Sequence, residues 1–239
     1  DTSVEPGGNV VDTADLYTNG NSETWVGEFV RERALRDKMV IATKFSYSAD
    51  PSNPNAGGNG RKNILRAVEG SPRRLGTDYI ELDLLHTWDV LTPVDEVMRT
   101  FGGLVRSGKV RHVGLSDVPA WYASRAQAVA EFRGYEPLAA LQLEYSLAER
   151  SIENEFAPLA TRHGMGVMVW SPLASGLLSG KYRPSHAASF GEGRLQTVAS
   201  TGNLAFQKFT ERNFRIVEEL ERVAKELDRS MAQVALNWV

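Results

Sequence analysis

The chain has 239 residues, 42% hydrophobic and 24% charged, with a net charge of −3 and no cysteine. That is the make-up of a globular protein without a basic footprint for nucleic acid or an anionic membrane, and it excludes disulfides, thiolate metal sites and cysteine nucleophiles. Length alone admits one α/β barrel or two ordinary domains.

Short β-rich runs alternate with amphipathic helices, which predicts a parallel sheet covered by helices. In chain order, strands are expected near Asn9–Ala14, Met39–Phe45, Tyr79–His86, His112–Leu115, Ala139–Glu144 and Gly166–Trp170. Runs such as VIAT and VMVW are of the continuous apolar kind that is buried on both faces. Helices are expected at about 22–36, 60–75, 94–107, 119–132, 152–163 and 211–227, with a last one starting near Ser230. Asn21-Ser22-Glu23 can cap the first helix and Ser230 the last. Gly108 and Gly164 read as left-handed caps at helix ends. Gly70-Ser71-Pro72 interrupts an otherwise helical pattern, and a proline there costs about 3 kcal/mol, so a kink or break is expected near Gly70. Loops 46–60 and 180–210 exceed the usual length in a compact domain, and both follow strand ends.

No apolar run approaches the roughly 20 residues that span a bilayer, and no signal peptide is visible, so no membrane partner is expected. The absence of cysteine suits a cytoplasmic location. The sequence starts at Asp1 and stops at NWV inside a helical pattern, so both ends read as cut. The expected fold is an α/β (β/α)8 TIM barrel, one domain over residues 1–239, with six of eight strands present and the first and last outside the sequence. Expressed alone, such a chain would expose sheet edges at VVDTA and VMVW and is expected to be insoluble or partly unfolded.

Four polar residues sit where apolar strands run out: Asp12 and Tyr17 in VVDTADLY, Lys44 in MVIATKF and His86 in LDLLHTW. In a barrel, strand C-terminal ends converge on the face where catalysis happens. Each residue has a bland reading: a packed aromatic, a solvated lysine, a core histidine. Together at successive strand ends they make an acid-base device instead. His112, His163 and His186 have no such company, beginning a strand, closing a helix and lying in a loop.

The chain resembles the aldo-keto reductases, through DTADLYTNGNSE, VIATKF, LDLLHTWD, GKVRHVGLSD, LQLEYSLAER, WSPLASGLLSGKY and AQVALNW in family order. The resemblance implies that Asp12, Tyr17, Lys44 and His86 are the family's catalytic tetrad. A free tyrosine titrates near ~10, and a neighbouring ammonium favours its phenolate. Tyr17 would protonate the alkoxide left by hydride transfer to an aldehyde or ketone; Asp12 would place Lys44, and His86 would orient the small-molecule carbonyl substrate.

The same resemblance implies NADP(H) as cofactor. Ser116, Asp117 and Gln142 match positions that hold the nicotinamide amide, although the family more often has Asn where this chain has Asp117. An ionised Asp accepts but does not donate there, which secures only part of that contact. Trp170 matches the aromatic that stacks on the nicotinamide; a core aromatic ending a strand is its plain reading. Ser171, Leu173, Ser175 and Gly176 match the loop around the pyrophosphate. Lys181 supplies positive charge for phosphates, and Arg194 does so at a looser spacing, where a solvated loop arginine reads equally well. No G-x-G-x-x-G turn follows any strand. The basic segment that grips an adenosine 2′-phosphate in the family would follow the eighth strand, so the preference for NADPH rests on the family.

Two other classes compete. A cofactor-binding regulatory subunit with little turnover would show a large exposed apolar patch. A barrel hydrolase or lyase using Asp12 and His86 would bind a divalent metal, but no tight ligand cluster is visible and no metal is expected.

Overall fold

The computed structural model describes residues 7–48, 50, 52–182, 193–199, 202 and 206–239. Strands β1 (Val10–Asp12), β2 (Val40–Phe45), β3 (Ile80–Leu85), β4 (Val110–Ser116), β5 (Leu138–Glu144) and β6 (Gly166–Trp170) form one parallel sheet in the order β1-β2-β3-β4-β5-β6. Helices α1 (Asn21–Glu32), α2 (Arg61–Leu75), α3 (Val94–Arg106), α4 (Ala120–Arg133) and α5 (Ile152–His163) connect successive strands. Consecutive strands lying side by side, each joined by a helix, is the order of a (β/α)8 barrel wall, here with six of eight strands.

Two compact units divide the chain: Asp1–Gln142 with Leu159–Val167, and Leu143–Pro158 with Met168–Val239. In the first, Ile41, Phe45, Leu84, Leu85, Leu115 and Leu141 are buried strand residues. The i, i+3, i+4, i+7 series Val94, Val97, Met98 and Phe101 of α3 is buried too, and Phe101 meets Phe45 edge to face at 5.9 Å. Gly114 has a specific reason to be glycine: a Cβ there would stand 2.5 Å from the Ala140 carbonyl oxygen and from Leu84 Cδ2. The β4–β5 register shifts between Val113 and Gly114. In the second unit, Ala174, Leu177, Leu178, Tyr182 and Leu195 pack with Val217, Leu220 and Ala235. The last three come from helices α7 (Glu211–Glu226) and α8 (Met231–Trp238).

Several local expectations are corrected. Helix α2 runs through Pro72 as one element, so no break occurs at Gly70. Val68, Ser71 and Leu75 bury its inner face on both sides of the proline, and that packing outweighs one lost hydrogen bond. Helix α1 has Gly20, at φ 88°, as its N-cap, with no side-chain cap. The expected cappers are used elsewhere: Ser22 Oγ pairs with Thr13 Oγ1 at 2.8 Å, and Glu23 is buried. Helix α6 (Arg194–Ala199) forms inside the segment expected to be loop, and Leu195 Nα–H donates to the Tyr182 hydroxyl at 3.2 Å. His186 lies outside the described residues. Gly108 and Gly164 take φ 76° and 68°, the expected left-handed caps.

Candidate active site

Asp12 is the last residue of β1, and beyond it the chain still follows β2: Thr13 N–H donates to Ala42 O at 2.9 Å and Asp15 N–H to Lys44 O at 3.0 Å. The chain then turns at Thr18, Asn19 and Gly20, with φ of 48°, 56° and 88°. Such a run is rare for a β-branched residue and marks a turn fixed by its surroundings. Tyr17 stands at the start of that turn, 39% exposed.

Lys44, five residues into β2, points to the same place and is only 1% exposed. Its ammonium donates to Asp12 Oδ2 at 2.6 Å and to the Thr13 carbonyl at 2.8 Å. It lies 5.2 Å from the centroid of the Tyr17 ring. Burial pulls the Lys44 pKa down while the Asp12 charge holds it up. Gln142, which closes the β4–β5 ladder opposite Ser116, donates from Nε2 to Asp12 Oδ1 at 3.1 Å. Asp12 therefore uses both carboxylate oxygens within the site.

His86 follows β3 directly. Its ring meets Tyr17 edge to face at 5.7 Å and Tyr47 at 4.9 Å. Burial, with the Lys44 charge adding to it, pulls its pKa down to about 4, so the imidazole is neutral at neutral pH. Its Nδ1 is buried without a hydrogen-bond partner. All four expected tetrad residues are thus brought together, with Gln142 as a fifth member through Asp12. Ser116, the last residue of β4, is 1% exposed and its hydroxyl has no partner. Asp117 follows at φ 46°, its N–H donating to the Gln142 carbonyl at 3.2 Å.

The second unit carries the remaining expected positions. Trp170 ends β6, and its carbonyl accepts from Tyr145 N–H at 3.4 Å. The next turn has Ser171, Ala174, Ser175 and Gly176 at φ 55°, 47°, 56° and 97°. Ser171 Oγ accepts from Ser175 N–H at 2.9 Å, and the Leu173 carbonyl accepts from Gly176 N–H at 2.9 Å. The Lys181 ammonium stands beside this turn: it would lie 3.3 Å from a Cβ on Gly176 and 2.7 Å from one on Gly193. Arg194 opens α6 with its side chain exposed.

These observations meet a family match. The aldo/keto reductase family model matches residues 1–239. The chain belongs to the aldo/keto reductase family. Among its relatives is a probable aryl-alcohol dehydrogenase, AAD4, of Saccharomyces cerevisiae, 35% identical over the whole chain and 73% of the relative. Norsolorinic acid reductase of Aspergillus flavus is 34% identical over the whole chain and 59% of its own length. Aryl-alcohol dehydrogenase [NADP(+)] of Phanerodontia chrysosporium is 32% identical over the whole chain and 63% of its own length. The chain thus spans about three fifths to three quarters of these relatives.

The residues of this aldo/keto reductase fit a nicotinamide dinucleotide at two places, each within one unit. The buried Ser116 hydroxyl without a partner leaves a donor and an acceptor for a carboxamide. Lys181, packed where a Cβ on Gly176 or Gly193 would press on it, puts a positive charge beside the turn of left-handed residues, where a phosphate would be favoured.

Sequence reasoning missed a second polar group around Thr43, on the other face of β2. Thr43 Oγ1 donates to Glu23 Oε1 and Arg74 Nε to Glu23 Oε2, both at 2.6 Å. Asp83, the register partner of Thr43, has one carboxyl oxygen without a partner, and Asp15 has two. The signal was present: Asp83 is a charge in the middle of the buried run IELDLL. Among the described residues, no group of three or more His, Asp or Glu is placed to hold a metal ion.

Proposed function

We propose that this protein is an NADP(H)-dependent carbonyl reductase that takes an aldehyde or ketone, with aryl aldehydes as first candidates, to the alcohol. The observation that carries the reading is the Lys44 ammonium, bound between the Asp12 carboxylate at 2.6 Å and the Thr13 carbonyl at 2.8 Å, beside the Tyr17 ring. The names of the relatives, two aryl-alcohol dehydrogenases and a norsolorinic acid reductase, point the same way.

In this reading Ser116, Asp117 and Gln142 of the first unit would hold the carboxamide; of the second unit's residues, Trp170 would stack on the nicotinamide, and Ser171, Leu173, Ser175, Gly176, Lys181 and Arg194 would hold phosphates. A bound nicotinamide supplies the hydride. The chain's own residues do the rest. The Lys44 charge favours negative charge on the Tyr17 oxygen and so eases release of its proton to the developing alkoxide. Asp12 keeps Lys44 charged and in place. His86 is neutral, and a buried Nδ1 without a partner is tolerated better as a lone pair than as an N–H. Its proton then sits on Nε2, which donates to the substrate oxygen and orients the carbonyl.

The test is Tyr17→Phe in the full-length protein, assayed with NADPH and a panel of aryl and alkyl aldehydes. The reduction rate is expected to fall by roughly 10²–10⁴-fold, with NADPH affinity unchanged. Undiminished turnover in the variant removes Tyr17 from the mechanism, and no reduction of any aldehyde by the parent protein removes the enzyme reading.

A further inference from the structure

Many functional histidines are oriented by a hydrogen bond at the ring nitrogen that faces away from the substrate. His86 has none, because Nδ1 is buried without a partner. Its orientation has to come from its backbone and from ring contacts, and the loop after β2 supplies both.

Ser46 leaves β2 at φ 120°, in a region that side chains rarely occupy. From there its Oγ accepts from His86 N–H at 3.0 Å, where the Phe45 carbonyl also accepts at 3.0 Å. The Ser46 hydroxyl donates to Asn59 Oδ1 at 2.6 Å. Asn59 returns the hold from the far end of the loop. Its Nδ2 donates to the Thr87 carbonyl at 2.8 Å, and its backbone N–H to Asp89 Oδ2 at 2.8 Å. Gly58 N–H closes the loop onto the Ser46 carbonyl at 2.7 Å. Ser46 is 6% exposed and Asn59 1%. Between them, Tyr47 sets its ring against His86 at 4.9 Å.

A buried polar network of this kind brings no apolar surface out of water, and its use is to fix one arrangement. What it fixes is the backbone N–H of His86 and the carbonyl of Thr87. We propose that Ser46 and Asn59 are positioning residues for His86: a clasp that sets the direction of the imidazole toward the substrate carbonyl and so governs turnover. The inference rests on the reductase reading above.

Asn59→Asp keeps size and shape but replaces the donor to Thr87 O by an oxygen. Ser46→Gly removes the hydroxyl while relieving the backbone at φ 120°, so it does not strain the fold. In the full-length protein, each is expected to lower kcat for a reactive aldehyde by roughly 10–100-fold, the cost of misplacing a reacting group by about 1 Å. NADPH affinity, measured without substrate, is expected to stay within twofold. The deciding measurement is the pair with His86→Ala: once the imidazole is gone, adding Asn59→Asp or Ser46→Gly should lower kcat no further. The His86 imidazole resonances, sharp in the parent, should shift or broaden in both single variants.

The proposal is overturned if the parent reduces aldehydes and either folded variant keeps its kcat, or if the effects multiply with that of His86→Ala. Loss of fold in both variants also overturns it, since the loop would then be structural only. A parent without reductase activity defeats the reading itself, whereas the imidazole resonances report on the clasp in either case.

Discussion

Thr43 and Lys44 are neighbours on β2 and point to opposite faces of the sheet, and each leads to a polar group with a different charge balance. On the Lys44 side one buried cation meets one carboxylate and one carbonyl, and every one of those oxygens is used. On the Thr43 side three carboxyls gather, and among the described residues only Glu23 has a cation within hydrogen-bond reach, through Arg74. Burial, reinforced by the Glu23 charge, pushes Asp15 up to about 6, and burial pushes Asp83 well above the usual carboxylate range. The difference is that on the Lys44 side burial is answered by an opposite charge, while on the Thr43 side it raises carboxyls that have no cation bonded to them.

The strongest way to break this contrast is to unbalance the matched side. Asp12→Asn preserves the acceptor for Gln142 but turns an amide toward the Lys44 ammonium, which is 1% exposed. Lys44 then has the Thr13 carbonyl as its hydrogen-bond acceptor, and burial lowers its pKa against the weaker opposing charge of Asp117 alone. We expect aldehyde reduction to drop by at least about 10²-fold. The melting temperature should fall as well, because an uncompensated buried charge is costly. A variant that turns over like the parent would show that the Lys44 charge plays no part.

The surplus side gives a smaller effect that depends on pH. Asp15 has a folded pKa of about 6 against an ordinary 3.8, so between those values the folded state binds a proton that the unfolded state has released. Its stabilising share is complete below about pH 4 and is lost as pH rises through 6. Asp15→Asn imitates the protonated carboxyl at every pH. It should therefore be more stable than the parent by roughly 3 kcal/mol at pH 8, and nearly equal to it at pH 4. Urea melts of both proteins at the two pH values measure this. An advantage at pH 4 as large as at pH 8 would mean that Asp15 is ionised throughout.

The contrast also explains what the sequence disclosed. Asp12, Tyr17, Lys44 and His86 are legible because each interrupts or ends an apolar strand, where a polar side chain has few reasons to be. All six strands and seven of the helices were legible by period. Asp83 could have been noticed by the same logic, but it alternates with Glu81, and the pair reads as one solvated edge. Ser46 and Asn59 gave no signal, since a Ser-, Pro-, Asn- and Gly-rich loop looks like turn chemistry at every position. Their role depends on contacts 28 and 40 residues away, which no local pattern carries. Pro72 misled for the opposite reason: local propensity was strong, and tertiary packing overrode it.

Ser230 offers the smallest effect and a control that sharpens the contrast. In the second unit, Ser230 Oγ accepts from Gln233 N–H at 3.2 Å, and Gln233 Oε1 accepts from Ser230 N–H at 2.9 Å. This capping box opens α8 and satisfies two backbone donors, with no ionisable partner. Ser230→Ala should lower stability by about 1 kcal/mol. Because nothing in the cap titrates, the loss should be the same at pH 4 and pH 8. Measured beside Asp15→Asn, a flat loss for Ser230 and a gain for Asp15 that appears only at high pH would separate a polar group held by geometry from one held by its proton. A Ser230 effect that varies with pH would instead show that the melts register a general electrostatic change, and the Asp15 result would lose its meaning.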